Sequence, residues 1–369
     1  MKLGVSAALV DGKLLPGDVR IEDGVVREVG VTPAGDGGIA APGFVDAHIN
    51  GCAGVDFLDA GPDGYRRAAE ALAGTGVVAF QPTLVSAPPE RCREALATAA
   101  AARAQLERAG LPRIVGVHLE GPFLSPSWPG AHDPAHLREP DPELASELCA
   151  AGPVATMTLA PELPGALELI DELTSLGVVV SCGHSDADAA LAHAAFDRGA
   201  RAITHIYNAH RRWQARDPGL AGAALVHPAV FVQVIADGVH VAPEVAYAAL
   251  LAAGERLCLV TDAVAAALAE PGTYGLAGRA VAADGEAARL GDGTLAGGVA
   301  TMDALVRNLV ASGARRAVAL GAAATTPALM LGRADLGRIA PGVPAHLVVL
   351  DEELRVRRTL VGGAEAFAA

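Results

Sequence analysis

Several apolar runs in this chain end in side chains that can carry a proton or hold a metal ion. His48 and Asn50 close FVDAHIN, and His118 and Glu120 close VGVHLEG. His184 lies in SCGHS, His205 in AITH, Asp237 and His240 in ADGVH, and Asp262 in LVTDA. Glu120, His184 and His205 together offer one carboxylate and two imidazoles. Such an open set suits Zn²⁺ or a similar ion and leaves room for water. A plain salt bridge is the competing reading for Glu120, but a carboxylate buried at a strand end without a partner is costly. His184 and His205, taken singly, fit a satisfied core histidine as well as a ligand. Asp262 could orient a histidine from behind; at a strand end facing a metal it reads better as a general base. His118 is expected to fill the interior or to support Glu120. Cys182 shares strand parity with His184, yet reads as a small buried residue. His136, His193, His227 and His346 look like loop, helix or surface positions and receive no role.

The elements that must position these groups recur along the chain. Val/Ile/Leu-rich runs occur at 44–50, 77–85, 114–121, 154–162, 178–186, 202–209, 231–241 and 257–264. Helical segments are expected between most of them, among them 65–73, 89–108, 165–176, 187–197 and 243–252. Near-continuous apolar strands alternating with helices mean a parallel sheet covered on its outer face. Eight such units predict an α/β fold, a closed (β/α)₈ TIM-like barrel, with its chemistry at the C-terminal ends of the strands. No GxGxxG or GxxxxGK[ST] motif supports a nucleotide site.

The two chain ends read differently. Asp11-Gly12 and Asp23-Gly24 sit between short apolar runs, the signature of hairpins. The C-terminal stretch is strand-like again. The expected organisation is a small discontinuous β-sandwich from residues 1–43 and 336–369, and a metal-dependent barrel over 44–335. Residues 272–297, rich in Gly, read as a hairpin insertion, followed by helices at about 301–312 and 316–330.

Composition narrows the function. A formal charge of −14 over 369 residues argues against nucleic acid or an anionic membrane as partner. The 51% apolar fraction supports a large core, and 4% aromatics does not suit a stacking platform. Five dispersed cysteines without a CxxC pair read as free thiols in a reducing compartment. Neither a signal peptide nor a membrane-spanning run is seen, so a cytoplasmic protein is expected.

Taken together, FVDAHING, HLEGPF, PGAH, CGHS, THIYNA, DPGLAG, ADGVHV, VTDA and LAGG resemble the N-acetylglucosamine-6-phosphate deacetylases of the amidohydrolase superfamily. The resemblance runs from Pro42 to Met302. It implies hydrolysis of the acetamide of N-acetylglucosamine 6-phosphate, with Glu120, His184 and His205 as metal ligands and Asp262 as acid/base. It also implies substrate contacts from His132, Asn208, Ala209 and His240, with Leu295 at the sugar-phosphate end. Arg216 matches an arginine that reaches phosphate, often across a homodimer interface; its planar guanidinium suits that anion. The first motif holds His48 and Asn50 where many relatives have two histidines. One divalent ion per subunit is therefore expected, Zn²⁺ foremost, with Fe²⁺, Co²⁺ or Mn²⁺ as the alternatives this donor set accepts. His48 is then an auxiliary ligand or a hydrogen-bond donor beside the ion. Other departures are SPSWPGAH with Trp128, Asn208-Ala209-His210 followed by Arg211 and Arg212, and LAGG. They lie around the sugar-phosphate end, so deacetylation of a related N-acetyl amino sugar, or a catalytically inactive sugar-phosphate sensor, are the alternatives.

Overall fold

The DG pairs make the two N-terminal hairpins. Asp11, Gly12, Asp23 and Gly24 all have positive φ (45°, 72°, 52° and 74°), as tight two-residue hairpin turns require. They join Ala7–Val10 to Lys13–Pro16 and Asp18–Glu22 to Val25–Val31. In the computed structural model, which describes residues 1–369, the first hairpin edges a six-stranded sheet. Its order is Lys13–Pro16, Ala7–Val10, Ile39–Pro42, Leu347–Leu350, Val356–Val361, Ala364–Ala368. The chain ends meet where Ile39–Pro42 pairs antiparallel with Leu347–Leu350. Val5, Ala8, Val19, Ile21 and Val26 from one end bury themselves against Ile339, Leu347, Val349 and Leu360 from the other. Each end supplies only part of this core, so neither can bury its apolar face alone.

Between the ends lie eight parallel strands: β1 (Phe44–Ile49), β2 (Val77–Val85), β3 (Val117–Glu120), β4 (Val154–Leu159), β5 (Val179–Cys182), β6 (Ala202–Ile203), β7 (Phe231–Val234) and β8 (Leu257–Leu259). Each pairs in parallel with the next. The outer helices are α1 (Pro62–Ala73), α2 (Pro89–Ala109), α3 (Pro142–Ala151), α4 (Ala166–Ser175), α5 (Ala189–Asp197), α6 (Gly219–Val226), α7 (Pro243–Ala253) and α8 (Met302–Ala311). The fold is thus the expected (β/α)₈ barrel. Its seam is thin. An isolated bridge joins Ile49 to Ala263, Asp262 N–H donates to His48 O (2.9 Å), and Asn50 N–H donates to Ala263 O (2.7 Å). Below them the Asp46 carboxylate accepts the Thr261 amide (3.2 Å) and hydroxyl (2.5 Å). A further helix, α9 (Arg316–Met330), ends with Met330 buried among Ala47, Ala202, Ile235, Cys258 and Val260. These residues come from β1, β6, β8 and the end of β7, neighbouring strands around the seam, so Met330 packs into the barrel interior on that side.

The strands are shorter than the apolar runs. The 202–209 run keeps only Ala202–Ile203 as strand, and the 257–264 run only Leu257–Leu259. Beyond these points the backbone turns: His184, His205, Tyr207, Ala209 and Asp262 have φ of 50°, 28°, 76°, 52° and 48°. A left-handed residue ends the regular alternation of side chains and re-aims the residues beyond it. Cys182 shows the effect. It is fully buried in the core between sheet and helices, while His184 faces the barrel mouth, so strand parity does not carry across Gly183. Residues 272–297 form a three-stranded antiparallel sheet (Gly272–Leu276, Arg279–Ala283, Ala288–Arg289) over that mouth. His346 corrects an expectation: it is buried, not a surface residue. Its Nδ1 accepts the Gly362 amide (3.0 Å) beneath Arg113, because the chain ends fold over it.

Candidate metal centre and active site

Glu120 is the last residue of β3, and His184 and His205 follow β5 and β6 in their left-handed turns. Glu120 Oε1 lies 3.1 Å from His184 Nε2 and 2.9 Å from His205 Nε2, and the two nitrogens are 3.2 Å apart. All three side chains are buried. A tetrahedral ion with ligand bonds of about 2.0–2.1 Å separates its donors by roughly 3.3 Å, close to this triangle. The tautomer agrees. His184 Nδ1–H donates to the Trp128 carbonyl (2.9 Å), which leaves its Nε2 lone pair free to face the centre. These residues fit a divalent cation.

Asp262 lies beside them, in its turn across the barrel seam. Its Oδ1 accepts Asn50 Nδ2–H at 2.7 Å and stands 3.2 Å from His48 Nε2. His48 also faces Glu120 Oε2 at 3.4 Å, so one imidazole spans both carboxylates. Burial works against charge on Asp262, but His48 outweighs it and holds the carboxyl below its ordinary range. His48, Glu120 and Asp262 form a second group of converging donor atoms. Below the seam, burial pushes Asp46 up to about 6 despite the Thr261 hydrogen bonds. His118 sits deeper, bonded to Thr158 Oγ1 (2.7 Å) and near Thr83 Oγ1 (3.3 Å). Burial holds it well below the ordinary histidine value, so it fills the interior as a neutral group.

These groups open into a cavity of about 380 Å³, within the range of small-molecule sites. Asn50, Glu120, His184, His205 and Asp262 form its floor. His132, Asn208, Ala209, His240 and Leu295 line its walls, so the structure brings all of these sequence candidates together. His132 Nδ1 accepts the Ser86 amide at 3.1 Å, which places its proton on Nε2, the nitrogen facing Glu120 at 3.5 Å. His240 Nδ1 donates to Asp237 at 2.7 Å. Burial disfavours the charged imidazole, but Asp237 outweighs that and raises its pKa. Arg216 is not brought in: it is exposed on the loop before α6 and does not line the cavity. His210 turns inward, with Nε2–H donating to Thr204 O (2.9 Å).

Sequence reasoning passed over two contributors. Glu162, at the end of the fourth apolar run, accepts Ser185 Oγ–H (2.7 Å) and Asp186 N–H (2.6 Å). An acid at a strand end was its available signal. Trp128 stood out only as a departure from a motif; it lines the cavity and touches His184.

The amidohydrolase family model matches residues 39–368. The N-acetylgalactosamine-6-phosphate deacetylase of Escherichia coli O157:H7 is 37% identical over 361 residues, covering 96% of this chain and 95% of its own. The N-acetylglucosamine-6-phosphate deacetylase of Homo sapiens is 40% identical, covering 89% and 83%. Among solved structures, an aspartate-to-alanine variant of N-acetyl-D-glucosamine-6-phosphate deacetylase from Mycobacterium smegmatis, in complex with N-acetyl-D-glucosamine-6-phosphate, superposes with a TM-score of 0.93. It is 37% identical, with 100% of this chain and 99% of that chain covered.

Proposed function

The chain belongs to the amidohydrolase family, and from that premise we propose that it removes the acetyl group of N-acetylglucosamine 6-phosphate, releasing acetate and glucosamine 6-phosphate. The observation that carries this reading is the meeting of Glu120, His184 and His205 within 3.2 Å, with Asp262 beside them, in one cavity. Glu120, His184 and His205 would hold a divalent ion, which would supply Lewis acidity toward an acetamide carbonyl and a water. Asp262 accepts the proton of the attacking water and returns it to the departing nitrogen. The Asn50 hydrogen bond orients its carboxylate for both transfers, with His48 Nε2 3.2 Å away. His132, protonated on Nε2, is a donor for the carbonyl oxygen as charge develops there. His240, with Asp237 behind it, and the Asn208-Ala209 turn face the sugar. Arg216, exposed on its loop, would meet the phosphate of a neighbouring subunit in a homodimer. Zinc is the ion we propose; imidazole and carboxylate donors also accept iron, cobalt or manganese.

A second reading has specific support. The Escherichia coli relative, whose match covers 96% of this chain, is named for the galactosamine epimer. Acetate release from the two N-acetylhexosamine 6-phosphates and from unphosphorylated N-acetylglucosamine separates the readings. A higher kcat/KM for the glucosamine epimer supports the first. No acetate from any of the three refutes both.

A further inference from the structure

We propose that Trp128 is a positioning residue for His184, acting through the segment Ser125–His132 that follows β3. This rests on the reading of His184 as a metal ligand. His184 sits in a left-handed turn, so its own strand does not hold its imidazole. The neighbouring segment does. Ser125 N–H donates to His184 O (2.9 Å), and the Trp128 carbonyl accepts His184 Nδ1–H (2.9 Å). Gly130 leaves room for the ring: a Cβ there would stand 2.9 Å from His184 Cε1. His132 packs edge-on against the same imidazole, with ring centroids 4.7 Å apart.

The Trp128 indole closes this grip. Its Nε1–H donates to Asp186 Oδ1 (2.9 Å). Asp186 is in turn pinned by its own amide to Glu162 Oε1 (2.6 Å), and Ser185 to Glu162 Oε2 (2.7 Å). The loop carrying His184 is therefore fastened to the end of the β4 run on one side and to the Trp128 segment on the other. An indole can only donate, so it pairs with an acceptor and cannot exchange roles. With the indole anchored, the Trp128 carbonyl is fixed where it selects the Nδ1–H tautomer of His184, the one that frees Nε2 for metal.

The test uses the full chain. Nitrogen-15 spectra of the metal-free protein read the His184 tautomer, and competition with a chelator reads zinc affinity. W128F keeps the ring and removes the donor; Asp186→Ala removes the acceptor; Asp186→Asn keeps an acceptor oxygen. One solvent-facing hydrogen bond corresponds to a drop in affinity of about threefold to tenfold. We expect that drop, with a mixed His184 tautomer, in W128F and Asp186→Ala. Asp186→Asn should match the wild type, and the W128F/Asp186→Ala double variant should fall no further than either single one. Gly130→Ala, which pushes directly on the imidazole, should cost about tenfold to a hundredfold. Wild-type affinity in both W128F and Asp186→Ala overturns the proposal. So does an Asp186→Asn loss equal to that of Asp186→Ala, or a metal-free W128F melting far below the wild type. Unchanged zinc affinity in His184→Asn would instead refute the ligand reading on which the proposal stands.

Discussion

Asp262→Asn separates chemistry from architecture. The substitution keeps the shape of the side chain and removes its charge and its basicity. In the native site Oδ1 receives the Asn50 amide at 2.7 Å and faces His48 Nε2 at 3.2 Å. An asparagine can still offer its oxygen to Asn50, so a charge-assisted hydrogen bond of about 1.5–3 kcal/mol becomes a neutral one of about 0.5–1.5 kcal/mol. The expected stability loss is then about 1–2 kcal/mol. Proton transfer by a placed side chain contributes about 10²–10⁴-fold in rate, or about 2.7–5.5 kcal/mol of barrier. The kinetic effect thus exceeds the structural one. Acetate release from N-acetylglucosamine 6-phosphate should fall at least about a hundredfold in kcat, while metal content and KM stay near wild type. The assay is acetate production with zinc at saturation, beside metal analysis of the same sample. A variant retaining activity within about tenfold of the wild type, with its metal in place, removes Asp262 as the proton carrier.

Three further expectations rest on named contacts. Removing the metal with a chelator should abolish acetate release and lower the thermal midpoint, since a ligand at about a hundred times its Kd contributes about 2.7 kcal/mol to the folded state; an unchanged midpoint and rate would refute the Glu120–His184–His205 centre. Arg216→Ala should raise KM for the phosphorylated sugar about tenfold or more and leave the unphosphorylated sugar unaffected; equal KM values with wild type would remove its phosphate role. His346 gives a pH effect. Burial first, then Arg113, lower its pKa from 6.5 to about 4, so the native protein holds it neutral. The unfolded chain takes up a proton at about 6.5, so stability falls as pH drops from there toward 4, by at most about 3 kcal/mol. Urea unfolding at pH 7 and 4.5 should therefore show a smaller acid loss in His346→Gln than in wild type, by about 2 kcal/mol; equal losses would refute the account.

Much of the architecture was legible because period and turn chemistry act locally. Asp-Gly pairs require positive φ wherever they form tight hairpins, and apolar runs alternating with helices leave few alternatives to a parallel barrel. Glu120, His184, His205 and Asp262 were legible for a related reason: polar groups that interrupt buried strands must have partners. What local rules did not show has two causes, a backbone turn within a loop and contacts between distant segments. Strand parity placed Cys182 with His184, but the left-handed turn beyond Gly183 sends them to opposite faces. His346 read as a surface group because the layer that buries it comes from the far ends of the chain. Trp128 and Glu162 were not legible as supports of His184, because both contacts join segments that meet only once the barrel is wound.

By itself, then, the amino-acid sequence determined the alternation of strands and helices, the paired ends and the residue types at the barrel mouth, since these arise from short-range propensity and burial. Only the tertiary structure decided which nitrogen of His184 faces the carboxylate, that His48 and Asn50 share Asp262 across the seam, and that Arg216 lies outside the cavity. Tautomers, shared hydrogen bonds and exposure depend on distances of a few ångströms between residues far apart in the chain, and those distances exist only after folding.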